Sequence, residues 1–443
     1  MTDAKKFVPK VLVFSHNPIS YATGNGKTLA AFFSEWPSSH VAQIYTNNFD
    51  VDFSLCNNYY HINEKKLIKT FVTKNYYGEN ISNNHNDVDV LSQQMSFFTR
   101  WVIKFFHTSI GLAIREYVWK RDFINNAEFV SWIEDFCPDV LFFTLGENVQ
   151  EYKFILKLHY KYNLPIVLYA SDDYLSKQKG NPIYVLQKNR LQKSYFCLAQ
   201  SSSLLIAIGD AMALKFQKEY HYPQNIIVAM NSCDIDISNI GNMVISEFPN
   251  KLLYTGNLGL GRWNVLTTFA QLLPYASNQY YMSIYSTFSI SKAIQNKLEQ
   301  AGCAKFCGAV DHGQLNELRR KTDILVLVES FDKKYKELLS TAVSTKVPEY
   351  LASGKIILAI GPAYSASISY IKDHNAGYCI TNLSRYEILG VLDKISHDPQ
   401  KEKIQKIDNA LELAISRHNK KRNSKLIMQS IIDTLKGNEH EAQ

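Results

Sequence analysis

Short, continuous apolar runs alternate with helical segments along most of the chain, and this alternation limits the fold more than any other feature. Continuous apolar runs are typical of parallel strands that are buried on both faces. The predicted strands are residues 11–16, 42–46, 140–146, 165–171, 204–209 and 226–230, then 251–256, 281–287, 304–309, 324–330, 355–361 and 377–381. Helical segments such as 149–162 and 184–199 lie between them. The pattern predicts an α/β fold of doubly wound parallel sheets with right-handed crossovers.

The number of predicted strands divides the chain into domains. Twelve strands are too many for one ordinary sheet, and 443 residues suffice for two or three domains. The polar segment 231–250 separates the two sets of strands, so we predict two Rossmann-like domains that face a cleft, over residues 1–235 and 236–400. Residues 401–443 are predicted as a helical tail whose last residues, 437–443, are disordered. Ligands of such sheets bind at the carboxyl ends of the strands.

Composition excludes several classes of protein. With 48 Lys and Arg against 41 Asp and Glu, the net charge of +7 is too dilute to indicate a nucleic-acid binder. The seven cysteines are scattered without a CxxC pair, so we expect reduced thiols and no zinc site. The polar N-terminus leads directly into the first predicted strand, so we expect neither a signal peptide nor export from the cytoplasm.

Two inserts interrupt the alternation of strands and helices. Residues 74–90 are rich in Asn and predict an exposed loop. Residues 95–120 place Phe97, Phe98 and Trp101 on one half of a helical wheel, opposite a half that carries basic and polar side chains. Such a helix suits a membrane interface, on the inner face of the membrane, but a helix packed on the protein's own core has the same pattern. Both interpretations stay open.

A glycine-rich turn follows the strand predicted at 251–256. Gly256, Gly259 and Gly261 stand in the sequence TGNLGLGR, and a helix is predicted to begin near Arg262. Glycines allow backbone N–H groups to approach a phosphate, and the helix N-terminus adds partial positive charge. Because a guanidinium offers a planar pair of donors to phosphate oxygens, this turn predicts a diphosphate site.

A second segment, STKVPEYLASGK at 344–355, predicts a short helix bracketed by Pro348 and Gly354. Glu349 falls in its first turn, near the carboxyl edge of the second sheet. A carboxylate there can accept hydrogen bonds from ribose hydroxyls, as in dinucleotide-binding folds. The alternative is an acidic residue that only stabilises the helix dipole.

The first half offers candidates of its own. Asp172 and Asp173 end a predicted strand, where a carboxylate can orient or deprotonate an acceptor hydroxyl, or can merely cap a helix. Gly24, Asn25 and Gly26 follow the first strand, but a P-loop would need glycine where Tyr21 stands. The Asp-x-Asp strings at 87–89 and 234–236 follow no convincing strand end, so we expect no catalytic metal.

In this order, the segments YTGNLGLGR, VLVESFD and STKVPEYLASGKIILAIGP resemble the donor domain of family-4, GT-B-fold glycosyltransferases of bacterial surface-polysaccharide synthesis. The N-terminal FSHNPISYATGNGKTLAAFFSEWP, the central PDVLFF and PIVLYASDDY, and IIVAMNSCDID also fit that family. The similarity is spread over residues 10–385. The loop around Gly24 to Gly26 resembles the acceptor-side loop of the family.

The resemblance implies roles for particular residues. Arg262 would face the donor diphosphate, with Lys346 as a second cation, and Glu349 matches the second glutamate of the E-x7-E signature, which contacts ribose. Thr341 stands where that signature has its first glutamate, and Glu329 is the candidate substitute. A lysine common in the family is replaced by Thr267. The expected donor-binding set is Gly256, Asn257, Gly259, Gly261, Arg262, Glu329, Thr345, Lys346 and Glu349; the expected catalytic set is Asp172, Asp173 and Arg262.

The reaction that the resemblance implies is transfer of a sugar from a nucleotide-sugar to a hydroxyl of a glycan or polyprenyl-linked acceptor, with retention at the anomeric carbon. No cofactor is expected besides the nucleotide-sugar substrate, and the expected partners are that donor, the acceptor and a membrane surface, not nucleic acid. Two alternatives stay open. One is a nucleotide-sugar 2-epimerase of the same fold, and the other is a degenerate nucleotide-sugar-binding module, which the loss of the first glutamate suggests.

Overall fold

The computed structural model describes residues 7–21, 23–63, 78–81, 123–176, 182–235, 246 and 249–441. The chain divides into two compact units, Met1–Ala229 with Lys421–Gln443, and Met230–Lys420. Each unit has one sheet with its own apolar core. The chain thus leaves the first unit once and returns to it with its last helix.

The first unit has a sheet of eight strands. They are β1 (Val11–Ser15), β2 (Val41–Tyr45), β3 (Asn58–Ile62), β4 (Gly78–Ile81), β5 (Val140–Thr144), β6 (Ile166–Ala170), β7 (Ser202–Ala207) and β8 (Asn225–Val228). Its helices are α1 (Gly24–Phe32), α2 (Ala127–Phe136), α3 (Val149–Tyr162), α4 (Pro182–Gln200) and α5 (Asp210–Lys218). The strand order is β4-β3-β2-β1-β5-β6-β7-β8, and every pair is parallel except β3 with β4.

The second unit has six strands, all parallel, in the order β11-β10-β9-β12-β13-β14. They are β9 (Lys251–Thr255), β10 (Tyr281–Tyr285), β11 (Ala304–Gly308), β12 (Ile324–Val328), β13 (Ile356–Ile360) and β14 (Tyr378–Ile380). The helices are α6 (Arg262–Leu272), α7 (Lys292–Glu299), α8 (His312–Lys321), α9 (Lys336–Thr341), α10 (Val347–Leu351), α11 (Ala366–Asp373), α12 (Arg385–His397) and α13 (Gln400–Arg417).

The two sheets confirm the predicted α/β architecture, and all twelve predicted runs form strands. The central strands β1, β5, β6, β12 and β13 are buried along their whole length, as their unbroken apolar sequences predict.

The sequence analysis missed strands β3 and β4. The run NYYHI in β3 contains two tyrosines, Tyr59 and Tyr60, and one aliphatic residue, so its apolar character is carried by aromatic rings that suit a strand. β4 lies within 74–90, which was predicted as an exposed loop, so that prediction is wrong at residues 78–81. The polar sequence of β4 is explained by its position at the sheet edge, where only β3 pairs with it.

Aromatic residues make up 13% of the chain, and the buried tyrosines explain part of this content. Their rings fill the core, and several of their hydroxyls donate to backbone carbonyls. Tyr59 donates to the carbonyl of Ile19 at 3.0 Å, and Tyr280 donates to the carbonyl of Leu392 at 2.8 Å. The remaining aromatic cluster, the predicted amphipathic helix at 95–120, lies outside the described residues.

No helix of the described ranges combines the length and the apolar character needed to cross a membrane.

The C-terminal tail forms two helices. α13 packs in the second unit, whereas α14 (Lys420–Glu441) places Ile427 and Ile431 in the core of the first unit. Ser424 fixes α14 there, because its hydroxyl donates to the carbonyl of Phe32 at 2.7 Å and accepts from the backbone N–H of Glu35 at 3.0 Å. The disorder predicted from residue 437 is wrong as far as 441, where the helix continues.

Substitution of Ile431 by Ala should lower the free energy of unfolding by about 2–5 kcal/mol, because Ile431 is completely buried and its removal leaves a cavity. Urea denaturation followed by circular dichroism measures the change. Ile415→Ala on α13 is the matched control, since Ile415 is 41% exposed and its loss should change stability by less than about 0.5 kcal/mol. Equal losses in the two variants would contradict the packing of α14 on the first core.

Candidate functional site

The second sheet changes its strand order between β9 and β12. β10 and β11 continue from β9 on one side, and β13 and β14 continue from β12 on the other. Loops that leave the carboxyl ends of β9 and β12 therefore run in opposite directions and leave a crevice, the usual ligand-binding position in doubly wound sheets. The glycine-rich turn starts after Thr255, at the end of β9, and Glu329 directly follows β12. Both predicted features thus lie at this edge.

Two glycines of the turn are required by the backbone. Gly256 has a φ angle of +145°, and a Cβ atom there would lie 1.7 Å from Nζ of Lys346. Gly261 has a φ angle of +80° and precedes the first residue of α6. Any side chain at Gly256 would displace the ammonium of Lys346, so the turn and this lysine form one structural unit.

The rest of the turn is held by its own hydrogen bonds. Asn257 accepts through Oδ1 from the backbone N–H of Gly259 at 2.6 Å, and its carbonyl accepts from the hydroxyl of Tyr254 at 2.8 Å. The amide of Asn257 is therefore used inside the turn. This gives the predicted donor-binding residue Asn257 a structural task that the sequence analysis did not foresee.

Arg262 and Glu329 form a largely buried ion pair. Nη2 of Arg262 donates to Oε2 of Glu329 at 2.8 Å, while Nε lies 3.2 Å from the same oxygen and 3.1 Å from the carbonyl of Val328. The other carboxylate oxygen of Glu329 lies 3.5 Å from the hydroxyl of Ser367. The structure brings these two predicted residues together. Loss of either partner would leave an uncompensated charge in a buried place.

Lys346 lies beside this pair. Its Nζ is 4.9 Å from the ring centroid of Tyr254, a cation–π distance. Burial and, to a smaller extent, the positive charge of Arg262 lower the pKa of Lys346 to about 8, against the opposing effect of the carboxylates of Glu329 and Glu349. The lysine is therefore a cation whose charge depends on pH in the mildly alkaline range.

Glu349 lies in the first turn of α10, as predicted, and its carboxylate is paired with Arg319 from the last turn of α8. The side chain of Arg319 is 12% exposed and that of Glu349 is 34% exposed. Arg319 was missed by the sequence analysis, because the ion pair joins positions 30 residues apart in the chain and no local motif marks it.

Three threonines stand at positions that the sequence analysis named. Thr341, at the position of the missing first glutamate, is buried, and its hydroxyl has no partner among the described residues. Thr345 is exposed in the turn before α10. Thr267 donates to the carbonyl of Trp263 at 2.8 Å within its own helix, so it offers nothing to a phosphate.

The first sheet changes its strand order between β1 and β5, and a histidine and a buried carboxylate meet there. Nε2 of His16, just after β1, lies 3.3 Å from Oε2 of Glu151 in the first turn of α3, and Nδ1 lies 3.1 Å from Oγ1 of Thr46. Glu151 also accepts from the amide of Asn148 at 3.2 Å. The sequence analysis assigned neither His16 nor Glu151 to a site, although His16 is the last residue of the first predicted strand.

The two aspartates after β6 have different surroundings. The side chain of Asp173 is fully buried, and Lys215 binds it at 2.6 Å while the hydroxyl of Tyr220 donates to it at 2.8 Å. The backbone N–H groups of Leu175 and Ser176 also donate to Asp173, each at 3.1 Å. Four donors thus occupy the carboxylate of Asp173 in a turn after β6, and the next described helix, α4, begins only at Pro182.

Asp172 is less constrained. The hydroxyls of Tyr174 and Ser171 lie 3.3 Å and 3.4 Å from its carboxylate. Burial raises the pKa of Asp172 above its usual value, and those two hydrogen bonds partly oppose the increase. A carboxyl group in such a place is better matched to exchanging a proton than an ordinary surface aspartate.

The glycines of the predicted acceptor-side loop form the first turn of α1. Thr23 caps this helix by accepting from the N–H of Gly26 at 3.0 Å. A Cβ atom at Gly26 would lie 2.6 Å from the carbonyl oxygen of Ser20, so close packing requires that glycine. Gly24 and Asn25 are exposed on the first turn of the same helix.

Within the described ranges, no three His, Cys, Asp or Glu side chains cluster so that they could hold a metal ion. Of the Asp-x-Asp strings, Asp234 lies 3.4 Å from Nζ of Lys420, and Asp87, Asp89 and Asp236 lie outside the described residues.

The sequence matches no protein-family model and no curated protein. Solved structures, however, match nearly all of the chain. A sucrose-phosphate synthase from Thermosynechococcus elongatus has a TM-score of 0.61 at 10% identity, covering 96% of this chain and 99% of that one. HepE from Anabaena, in complex with UDP and glucose, has a TM-score of 0.57 at 12% identity and covers 96% and 100%. A glycosyltransferase from Rickettsia africae has a TM-score of 0.57 at 12% identity and covers 96% and 97%.

This is the GT-B fold. It confirms the predicted fold class of two doubly wound parallel-sheet domains. At identities of 10–12% the likeness describes the path of the chain, and the assignment of site residues depends on the geometry given above.

The lowered pKa of Lys346 predicts that the affinity for a diphosphate at the edge of the second sheet depends on pH. A bound diphosphate favours the ammonium form, so binding takes up a proton at pH values above the free pKa of about 8. The affinity for UDP should therefore fall by about tenfold between pH 7 and pH 9, since the phosphate itself, with a second pKa of roughly 6, is already ionised. Isothermal titration calorimetry measures both the affinity and the proton uptake.

Two variants separate Lys346 from other causes of this dependence. Lys346→Met should bind UDP more weakly, with little change between pH 7 and pH 9. Lys333→Met removes an exposed lysine and should keep the wild-type slope. A steep slope that persists in Lys346→Met would show that another group titrates.

Proposed function

We propose that this protein is a retaining glycosyltransferase that moves a sugar from a nucleotide-sugar to a hydroxyl of a glycan or polyprenyl-linked acceptor. The proposal depends mainly on one observation: Arg262 and Lys346 lie at a glycine-rich turn at the carboxyl edge of the second sheet, and Glu349 is close enough to Lys346 to act on its charge. Among the proteins of similar fold, HepE is described in complex with UDP and glucose, and another carries a bound UDP-2-fluoro glucose.

The chemistry of this edge suits a leaving diphosphate. Negative charge develops on the diphosphate as the glycosidic bond breaks, and cations fixed at that place stabilise it. Arg262 and Lys346 supply two cations, and the N-terminus of α6 adds its partial positive charge. Because Arg262 is already held by Glu329, it needs little reorganisation to meet the ligand.

Glu349 is proposed to accept hydrogen bonds from the ribose. Its carboxylate remains partly exposed and lies one helical turn from Lys346, so a nucleotide whose diphosphate meets Lys346 brings its ribose near. Glu329 is proposed to approach the donor sugar in place of the missing first glutamate at Thr341. Its buried ion pair with Arg262 places the carboxylate at the end of β12.

On the first sheet, we assign the acceptor-side role to Asp172 and not to Asp173. Asp172 has the raised pKa and the lighter set of hydrogen bonds, whereas Asp173 is saturated by Lys215, Tyr220 and two backbone donors. An acceptor hydroxyl within hydrogen-bond reach of Asp172 would be oriented and partly deprotonated by it. The expected membrane contact through residues 95–120 stays a prediction.

A donor screen tests the proposal directly. Nucleoside diphosphates and nucleotide-sugars of uracil, guanine and adenine are added to the protein in thermal-shift assays, since a ligand at 100 times its Kd stabilises the fold by about 2.7 kcal/mol. The best donor is then incubated with glycan and polyprenyl-phosphate acceptors. A glycosylated acceptor supports transfer, an epimerised sugar indicates a 2-epimerase, and binding without any turnover indicates a binding module.

Arg262→Ala should reduce donor affinity or turnover by at least about tenfold, because it removes a cation from the developing charge. The single substitution also leaves Glu329 buried without its partner. The double variant Arg262→Ala with Glu329→Gln removes that charge as well and should regain stability without regaining donor affinity. Wild-type kinetics in either variant would remove Arg262 from the site.

Asp172→Asn should lower kcat by about 10²–10⁴-fold, because it removes a proton acceptor beside the reacting hydroxyl. Donor affinity should stay near wild type. Asp173→Asn is the matched comparison: it should lower the melting temperature, since it weakens the buried contact with Lys215. If Asp172→Asn retains wild-type kcat, the acceptor hydroxyl is activated elsewhere.

A further inference from the structure

Arg319 makes an ion pair that is poorly explained as a device for stability. It reaches from the last turn of α8 to the carboxylate of Glu349, and its own side chain is only 12% exposed. Its Nε is buried and has no hydrogen-bond partner among the described residues. The cost of desolvating a buried ion pair offsets much of its Coulombic attraction, and a buried N–H without a partner is unfavourable. The arrangement therefore needs another explanation.

The ion pair with Arg319 restricts the orientation of the Glu349 side chain. It lies on a helix of five residues, α10, and its side chain is 34% exposed, so without a partner it could adopt several rotamers. Arg319 binds one carboxylate oxygen, Oε2, through Nη2. Its other terminal nitrogen, Nη1, lies 3.4 Å from Oδ1 of Asn316 on the same helix, which restrains the guanidinium. Among the described residues, no hydrogen bond or ion pair involves the second carboxylate oxygen of Glu349, Oε1.

The surroundings show where that carboxylate lies. It is close enough to Lys346 to influence the pKa of the ammonium, as is Arg319. It is also close to Cys233, whose pKa is raised to about 12 by burial first and by the charge of Glu349 second. The charges of both pairs, Arg319 with Glu349 and Arg262 with Glu329, thus act on Lys346.

We infer that Arg319 is a positioning residue for nucleotide recognition: it holds the carboxylate of Glu349 in one orientation, so that the free oxygen can accept hydrogen bonds from the two ribose hydroxyls of the donor. The inference rests on the proposed function and adds to it a residue on a different helix. Its consequence is selectivity for ribonucleotides over deoxyribonucleotides, which requires an acceptor fixed in place before the ligand arrives.

The test compares UDP, GDP and ADP with their 2′-deoxy and 3′-deoxy counterparts by calorimetry. The wild type should bind the best ribonucleotide at least about tenfold more tightly than its deoxy forms, the value of a hydrogen bond to a charged acceptor. Glu349→Gln and Arg319→Met should each reduce this ratio to about twofold or less, and the double variant should reduce it no further, because both changes remove one fixed acceptor.

Two further variants distinguish positioning from folding. Arg319→Lys should restore part of the ratio, because the charge remains but the planar fork is lost. Arg320→Met removes the same charge from the next position of α8, where the side chain is exposed, and should leave the ratio unchanged. Circular dichroism of each variant confirms that the unit is folded before binding is compared.

The outcomes separate the two hypotheses. If Arg319→Met weakens ribonucleotide and deoxyribonucleotide equally while Glu349→Gln abolishes the ratio, Arg319 acts only on general affinity and the inference is wrong. If Glu349→Gln leaves the ratio intact, the inference is also wrong, although donor binding through Arg262 can still hold. If the wild type binds no nucleotide at all, the proposed function itself fails, and the inference fails with it.

Discussion

The carboxyl ends of β9 and β12 lie side by side because the two strands pair in parallel where the order of the second sheet changes, and Arg262, Glu329 and Lys346 lie at this edge. β9 delivers the glycine turn and Arg262, while β12 delivers Glu329. The two strands pair in register at Ile324 with Leu252, so their ends have a fixed separation. The ion pair between Arg262 and Glu329 spans that separation. Its geometry therefore depends on the pairing of these two strands and on the glycine-rich turn that leads from β9 to Arg262.

Local sequence patterns predict much of this arrangement. The ion pairs between distant residues could not be predicted, and the reason is physical. Gly256 and Arg262 belong to one local motif, and the apolar runs around them specify buried parallel strands. The ion pairs, in contrast, join residues that are distant in sequence: Arg262 and Glu329 are 67 positions apart, and Arg319 and Glu349 are 30 positions apart. Such contacts depend on how strands and helices stack, which no local pattern contains. The same holds for His16 and Glu151 in the first unit.

The two sheets share their topology but differ in the chemistry at their switch points. The second presents two arginines and a lysine, three cations held by or beside carboxylates. The described part of the first presents His16 with Glu151, and Asp172 with its raised pKa. An edge built from cations suits a diphosphate, whereas carboxyl groups and an imidazole suit hydroxyls that must be oriented or deprotonated. This difference supports the assignment of donor and acceptor roles to the second and first units.

Lys346 shows why the paired arginines matter for the balance of charge. An unpaired Arg262 would repel the ammonium of Lys346 strongly in so small a space, and the pKa of the lysine would fall further below 8. Glu329 and Glu349 offset that repulsion, so the lysine retains its proton near neutral pH. When a diphosphate arrives, its charge can take over the role of Glu329 toward both cations. The carboxylates thus offset the repulsion between the two cations, and the proposed diphosphate ligand would make their proximity still more favourable.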